Sequence, residues 1–229
     1  MIFCYFIKLF SFLSNMSTTI ILTSTVNVDI NKCCVFQSNI NQRLETYLKS
    51  IKQWLDKTNF NIIVVDNSGH KYEELKEYKK KYCSRFEVIS FVEYELEETA
   101  VLRESISKGV SEMFAIHYAF KNSAMARNSV FIIKITARYF IPELETYLQG
   151  FDLNVYDCLR QNKSERCEMV GSHIKNFDYI FEVIHSNENF HIETIYKNRT
   201  SVYQNILQCK VFEIEETQRG GLDERFVDI

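Results

Sequence analysis

Two short runs of β-branched residues, 18–26 (TTIILTSTV) and 60–66 (FNIIVVD), constrain this chain most, because neither alternates polar with apolar positions. A strand that is apolar on both sides has to be covered on both faces, which is the situation of strands in a parallel sheet. Between the runs, the stretch from Arg43 carries Leu44, Tyr47, Leu48, Ile51 and Leu55 at helical spacing. Strand, helix and strand in that order make a right-handed βαβ crossover the default topology.

The alternation continues. Residues 72–82 (YEELKEYKKKY) read as a polar helix, 86–92 (FEVISFV) as a third strand and 130–136 (VFIIKIT) as a fourth. Ahead of the fourth, Val110, Met113, Phe114, His117 and Phe120 form one apolar helical stripe. The expected class is α/β, with a mostly parallel central sheet flanked by helices. A chain of 229 residues can bury one sizeable core, and its one proline leaves no Pro-rich linker. One domain over 16–229 is expected, after an apolar extension at 1–15.

That extension, MIFCYFIKLFSFL, is interrupted by Lys8 and is shorter than the roughly 20 residues of a spanning helix. No stable membrane span is expected. As a signal peptide it lacks a basic start and a small-residue cleavage site, and Met16, directly before the first strand, is an alternative start. A net charge of -3 and a pI near 6.0 argue against a general binder of nucleic acid or membrane surfaces. The seven cysteines (Cys4, Cys33, Cys34, Cys83, Cys158, Cys167, Cys209) are odd in number, with no CxxC and no histidine at zinc-finger spacing. Free thiols in a reducing cytosol account for them, so a cytoplasmic location is expected. The tripeptides at 162–164 and 198–200 match glycosylation sequons and matter only in a secreted chain.

The chemistry concentrates in residues 108–139 (KGVSEMFAIHYAFKNSAMARNSVFIIKITARY). Lys108 and Gly109 open the helix, where free amides, a close backbone and a mobile charge suit an anion. Lys-Gly is also a common helix start with no ligand. The fourth strand ends in Lys134, Thr136, Arg138 and Tyr139, beyond which ligands of open α/β sheets collect. Alternation puts Lys134, Thr136 and Arg138 on one face, a cationic row suited to a diphosphate. The competing structural reading pairs Arg138 with a neighbouring acid.

Three blocks carry a family resemblance: VVDNSG at 64–69, Lys108-Gly109 with Glu112, and IIKITARY at 132–139. The chain resembles a GT-A type (Rossmann-like) nucleotide-sugar glycosyltransferase family of large DNA viruses and bacterial polysaccharide loci, whose usual motif is Lys-Ile-Thr-Gly-Arg-Tyr. Ala137 stands where that family has glycine. The likeness covers roughly residues 20–221 and is vague after Leu148.

The resemblance implies transfer of a sugar from a nucleoside-diphosphate sugar, UDP-type favoured, to a glycan or other hydroxyl acceptor. It implies that Asp66, with Asn67 and Ser68, meets the base or ribose; the same residues are also strong turn chemistry, so both readings stand. Most GT-A enzymes hold Mn or Mg on an Asp-x-Asp after the fourth strand. Here Lys134, Thr136 and Arg138 occupy that place, so no metal is expected to be required, although a divalent ion stays open. Arg138 would then act on the leaving diphosphate. An inverting reaction also needs a base. Glu193 in FHIETIY ranks first, against Asp152, Asp157 and Glu168, while His173 and His191 read as structural. A glycine turn at 219–221 resembles a late loop near the donor.

A nucleotidyltransferase would show an N-terminal glycine-rich loop, and TTIILTSTVNV has none. A non-catalytic nucleotide- or sugar-binding domain of the same fold is the remaining alternative.

Overall fold

The structure, a computed structural model, describes residues 18–102, 105–163, 166–184 and 191–229. The N-terminal extension, Cys4, Met16 and the serine of the first sequon lie outside them.

Strand β1 (Thr18–Ser24) is buried at every position, as its β-branched run requires. Helix α1 (Ile40–Lys57) follows, with the Asn39 side chain accepting from the Gln42 amide to cap its first turn. Next come β2 (Asn61–Asp66), α2 (Lys76–Lys81) and β3 (Phe86–Ser90). The helix expected over 72–82 is shorter than its pattern. Tyr72 takes the left-handed conformation (φ 51°) and a 3-10 turn at Glu73–Leu75 leads into α2.

Helix α3 (Lys108–Asn122) starts at the Lys-Gly pair, the short α4 (Ala124–Arg127) follows, and β4 (Phe131–Thr136) enters the sheet. The second half contributes α5 (Leu144–Leu148), β5 (Cys158–Arg160), β6 (Met169–His173), α6 (Phe177–Ile180), α7 (Ile192–Ser201), β7 (Ile206–Gln208) and the hairpin β8 (Glu213–Gln218) with β9 (Arg225–Asp228).

The seven-stranded sheet runs β3-β2-β1-β4-β6-β5-β7. Its first four strands are parallel, β6 is antiparallel to β4 and β5, and β7 is parallel to β5. Side-chain alternation divides the core in two. Ile20, Leu22, Ile62, Val64, Ile133 and Ile135 meet Tyr47, Ile51 and Trp54 of α1. Ile21, Ile63, Val65 and Ile132 meet Met113, Ile116 and Ala119 of α3, with Ile192 and Tyr196 of α7 beside them. Both faces are covered, as the uninterrupted apolar runs demanded. The carboxyl ends of β1, β2 and β4 open together onto one cleft.

Candidate active site

The cleft has a volume of about 520 Å³. Its walls come from the loop after β1, the start of α3, the turn after β4, the start of α7 and the turn of the β8–β9 hairpin.

One wall is a cluster of cations. Arg43, only 6% exposed on the inner side of α1, donates to Thr25 O and Gln37 O (both 2.8 Å) and to the Tyr47 hydroxyl at 2.9 Å. Arg138, 7% exposed, donates to Gln37 Oε1 (2.8 Å), Gln218 O (3.1 Å) and the same hydroxyl (3.4 Å). Lys108 gives its ammonium to Cys34 O. All these acceptors are neutral, and among the described residues no carboxylate makes a hydrogen bond or ion pair with the three cations, although Asp66 acts on Arg43 through space. Burial lowers Arg43, and the positive charge of Arg138 adds to that lowering. Burial, helped by Arg43 and Arg138, also lowers Lys108 against the opposing pull of the Cys34 and Cys33 thiols.

The row expected of Lys134, Thr136 and Arg138 is broken. β4 ends at Thr136, with Ala137 N–H making the last bond to β1, on Thr23 O at 2.9 Å; the chain then turns, closed by Tyr139 N–H on Thr136 O at 3.1 Å, and Arg138 swings to α1. Ala137 lies in the α1-side core and needs no positive φ. Lys134 points to the other face. Fully buried, it pairs with Glu112 of α3 at 2.9 Å and donates to Cys167 O at 2.8 Å. Burial opposes its charge, but the Glu112 carboxylate outweighs it and the ammonium is raised. The same Glu112 oxygen accepts from Thr23 Oγ1 at 2.6 Å. Tyr139 is a core residue that reaches the cleft wall, its ring stacked on Phe226.

Asp66 does not line the cleft. It is fully buried; one carboxylate oxygen accepts from Ser24 Oγ and Val26 N, the other from Ser68 N, Ser68 Oγ and His70 N. That is turn chemistry, and it presents Asn67 and Ser68 instead. Asn67 accepts from Thr25 Oγ1 (2.6 Å) and donates to Glu93 (2.7 Å).

Gly109 lines the cleft, yet its lack of a side chain has a packing cause: a Cβ there would lie 2.6 Å from Ile192 Cβ. The two helix starts touch at that point, which brings α7 to the cleft. Glu193, in the first turn of α7, faces the cleft half-buried and makes no hydrogen bond or ion pair among the described residues. Glu168 also lines the cleft but is held by Arg166 (3.1 Å) and Gln161 (3.0 Å). Asp157 pairs with Lys175 at 3.1 Å and Asp152 caps a 3-10 turn, both away from the cleft. His191 is exposed at the rim, and His173 accepts from Lys175 N elsewhere.

Sequence reasoning missed Arg43, Tyr47, Lys32 and Glu93. Arg43 had a signal, being four residues before Tyr47 on a stripe that is otherwise apolar. Lys32 and Glu93 had none. They form a buried pair at 3.4 Å that ties the loop after β1 to Ser105 and Ser111 of the α3 entry. The hairpin turn, by contrast, was foreseen near the site. Gly220 O accepts from Phe36 N at 3.0 Å, and a Cβ at Gly220 would lie 2.5 Å from the Arg138 guanidinium.

At the carboxyl end of β4 the buried Lys134 ammonium is paired with Glu112. Among the described residues no group of three His, Cys, Asp or Glu side chains could hold a metal. Nor is any described helix long and apolar enough to cross a membrane.

No protein-family model and no curated protein matches the sequence. Solved structures do. S. aureus TarS, residues 1–349, matches with a TM-score of 0.51 and 12% identity over 85% of this chain and 58% of that one. The glycosyltransferase GlyE of Streptococcus pneumoniae TIGR4 matches with a TM-score of 0.50 and 9% identity over 86% of this chain and 46% of that one. This chain therefore spans about half the length of either. The α/β sheet with helices on both faces is a GT-A type fold, shared with these neighbours.

Proposed function

We propose that this protein is a glycosyltransferase that moves a sugar from a nucleoside-diphosphate sugar, of UDP type, to a hydroxyl of a glycan, without a required metal. The observation that carries the reading is the cluster of Arg43, Arg138 and Lys108, whose partners among the described residues are all neutral acceptors. Buried charge is expensive unless compensated, and a diphosphate supplies the missing anion. Guanidinium groups clamp phosphate oxygens in pairs and keep their charge at any working pH.

In this reading Asn67 and Ser68 shape the nucleoside end, and Asp66 holds their turn. Gly109 lets the two helix starts meet. Lys134, Thr136 and Glu112 form a neutralised floor beneath the sugar, and Tyr139 backs Arg138. Glu193 takes the proton of the acceptor hydroxyl. The acceptor oxygen then bonds to the anomeric carbon, and the bond from that carbon to the phosphate oxygen breaks with its electron pair leaving on the diphosphate. Arg138, Arg43 and Lys108 stabilise that charge as it develops. Glu193, which has no hydrogen-bond or ion-pair partner among the described residues, favours catalysis over a binding-only domain. A reducing cytosol is the compartment that suits the thiols.

The test is a thermal-shift screen of UDP, GDP, CMP and dTDP, with and without Mn²⁺, on wild type and Arg138→Ala, followed by a transfer assay with sugars of the stabilising nucleotide. Binding to the native state raises the melting temperature. A shift that does not need Mn²⁺ and is lost in Arg138→Ala supports the cationic donor site. Transfer abolished by chelator and restored by Mn²⁺ overturns metal independence, and binding without any turnover moves the protein to the binding-domain reading.

A further inference from the structure

Glu93, shortly after β3, ties three other parts of the cleft wall to its carboxylate. It is 4% exposed and lines the cleft, as do its partners. One oxygen accepts from Ser111 Oγ of α3 at 2.8 Å and meets the Lys32 ammonium, from the loop after β1, at 3.4 Å. The other accepts from Asn67 Nδ2, in the turn after β2, at 2.7 Å. Backbone contacts fix the same junction. Glu93 N–H donates to Asn67 O at 3.0 Å, and Ser68 forms a β-bridge with Val92.

A carboxylate can only accept, so the Asn67 amide must turn its NH2 toward Glu93 and its carbonyl toward the Thr25 hydroxyl, which donates to it at 2.6 Å. With Thr25 alone the amide could lie either way round, because a hydroxyl both donates and accepts. One N–H and one lone pair of the amide remain, in a fixed order, on a half-buried side chain that lines the cleft. Order is what separates the pyrimidines. Uracil presents its O4 acceptor and N3–H donor where cytosine presents its N4 amine donor and N3 acceptor. We propose that Glu93 is a positioning residue for the donor, setting the choice of uracil over cytosine by locking the orientation of the Asn67 amide. Lys32 balances the buried charge that this lock requires. The inference rests on the donor-site reading, with the nucleoside end at Asn67.

The test is calorimetric titration of the full chain with UDP, CDP and inorganic diphosphate, in wild type, Glu93→Gln, Asn67→Ala and the double variant. Wild type is expected to bind UDP about tenfold more tightly than CDP, as a two-bond base contact discriminates. The amide of Glu93→Gln can meet either end of Asn67, so the preference should vanish while inorganic diphosphate binds as in wild type. A merely structural role would weaken all three ligands together. Asn67→Ala should lose the same preference, and adding Glu93→Gln to it should change the ratio no further. Glu93→Gln leaves the Lys32 ammonium without its carboxylate, so Lys32→Met/Glu93→Gln repeats the measurement should the single variant not fold. Equal affinities for UDP and CDP in wild type, or a preference that survives in the folded Glu93 variants, overturn the inference. If inorganic diphosphate still binds, that failure is confined to the nucleoside end; if none of the three ligands binds wild type, the donor reading fails and the inference with it.

Discussion

Arg43 and Arg138 share one phenol: both guanidinium groups donate to the Tyr47 hydroxyl, at 2.9 and 3.4 Å, and both stand over its ring, with centroid distances of 5.7 and 5.6 Å. One comes from the first turn of α1 and the other from the turn after β4, so the fold brings them together across the edge of the sheet. Holding two like charges near a single neutral acceptor costs stability that an incoming anion can offset.

Arg138→Ala should therefore weaken binding of UDP much more than it weakens the unliganded protein. Losing charge-assisted hydrogen bonds, each worth about 1.5–3 kcal/mol, predicts at least a tenfold rise in Kd. Relief of the repulsion with Arg43 keeps the melting temperature without nucleotide near that of wild type. Arg138→Lys retains the charge without the fork and should fall between the two. Calorimetric titration measures this, and wild-type affinity in Arg138→Ala would remove the cation cluster from the donor site.

The ion pair of Lys134 and Glu112 is asymmetric. The Lys134 side chain is 1% exposed, that of Glu112 is 20% exposed, and Glu112 keeps the Thr23 hydroxyl if Lys134 is lost. Removing Glu112 strands a buried ammonium, whereas Lys134→Met leaves a carboxylate that reaches water. Glu112→Ala should cost about 3–5 kcal/mol in urea unfolding. Lys134→Met should cost clearly less, and the reverse order would contradict the pairing.

The parallel half of the fold was legible in the sequence because its strands are long enough to print a pattern. β1, β2 and β4 are six or seven residues of almost continuous burial, and α3 begins where the Lys-Gly pair predicted. β5 and β7 have three residues each and are placed by pairing with neighbours, which no local pattern records. The site was half legible for a related reason. Alternation is a rule for strands, so it described Lys134 and Thr136 correctly but could not follow Arg138 around the turn at Ala137. Arg43 was overlooked because a cation on a buried stripe looks like the edge of a polar face until its partner Tyr47 is seen. Asp66, strong as both turn and ligand residue on paper, is saturated by five donors, and only tertiary structure could reveal that.

Alkaline conditions should unfold this protein early. Burial raises Tyr72 and Tyr196, and raises Tyr139 to about 12, from an unfolded value of 10.0. Above pH 10 the unfolded chain has lost phenolic protons that the folded chain retains, so stability is complete below pH 10 and is lost as pH rises through the folded values. Lys134, raised from 10.5, acts in the same direction. Tyr196 Oη also has no hydrogen-bond partner among the described residues. Tyr196→Phe should thus gain about 1 kcal/mol at neutral pH, the cost of an unmatched hydroxyl, and move the alkaline midpoint upward in a circular-dichroism titration.

Glu193→Gln separates chemistry from binding. The side chain keeps its size and its place on α7 but can no longer take a proton. Turnover should drop at least about a hundredfold, the usual contribution of a positioned base. The thermal shift with UDP should stay as in wild type, because the cations are untouched. Turnover that survives the change would pass the role to Glu168 or to no side chain at all.

Gly109→Ala tests whether helix packing sets the position of that base. The added methyl would meet Ile192 Cβ at 2.6 Å, and both are backbone-anchored atoms that cannot rotate away. Overpacking of this kind costs about 1–3 kcal/mol. Because Ile192 immediately precedes Glu193, the start of α7 must shift to make room, and the carboxylate shifts with it. Gly109→Ala should lower both stability and turnover, while Ile192→Ala added to it should recover part of each. The coupling in that double-mutant cycle is the decisive quantity, since residues in direct contact are non-additive by about 0.5–3 kcal/mol. Additive effects would mean that Gly109 is required by something other than Ile192, with close approach of a ligand as the reading to take up next.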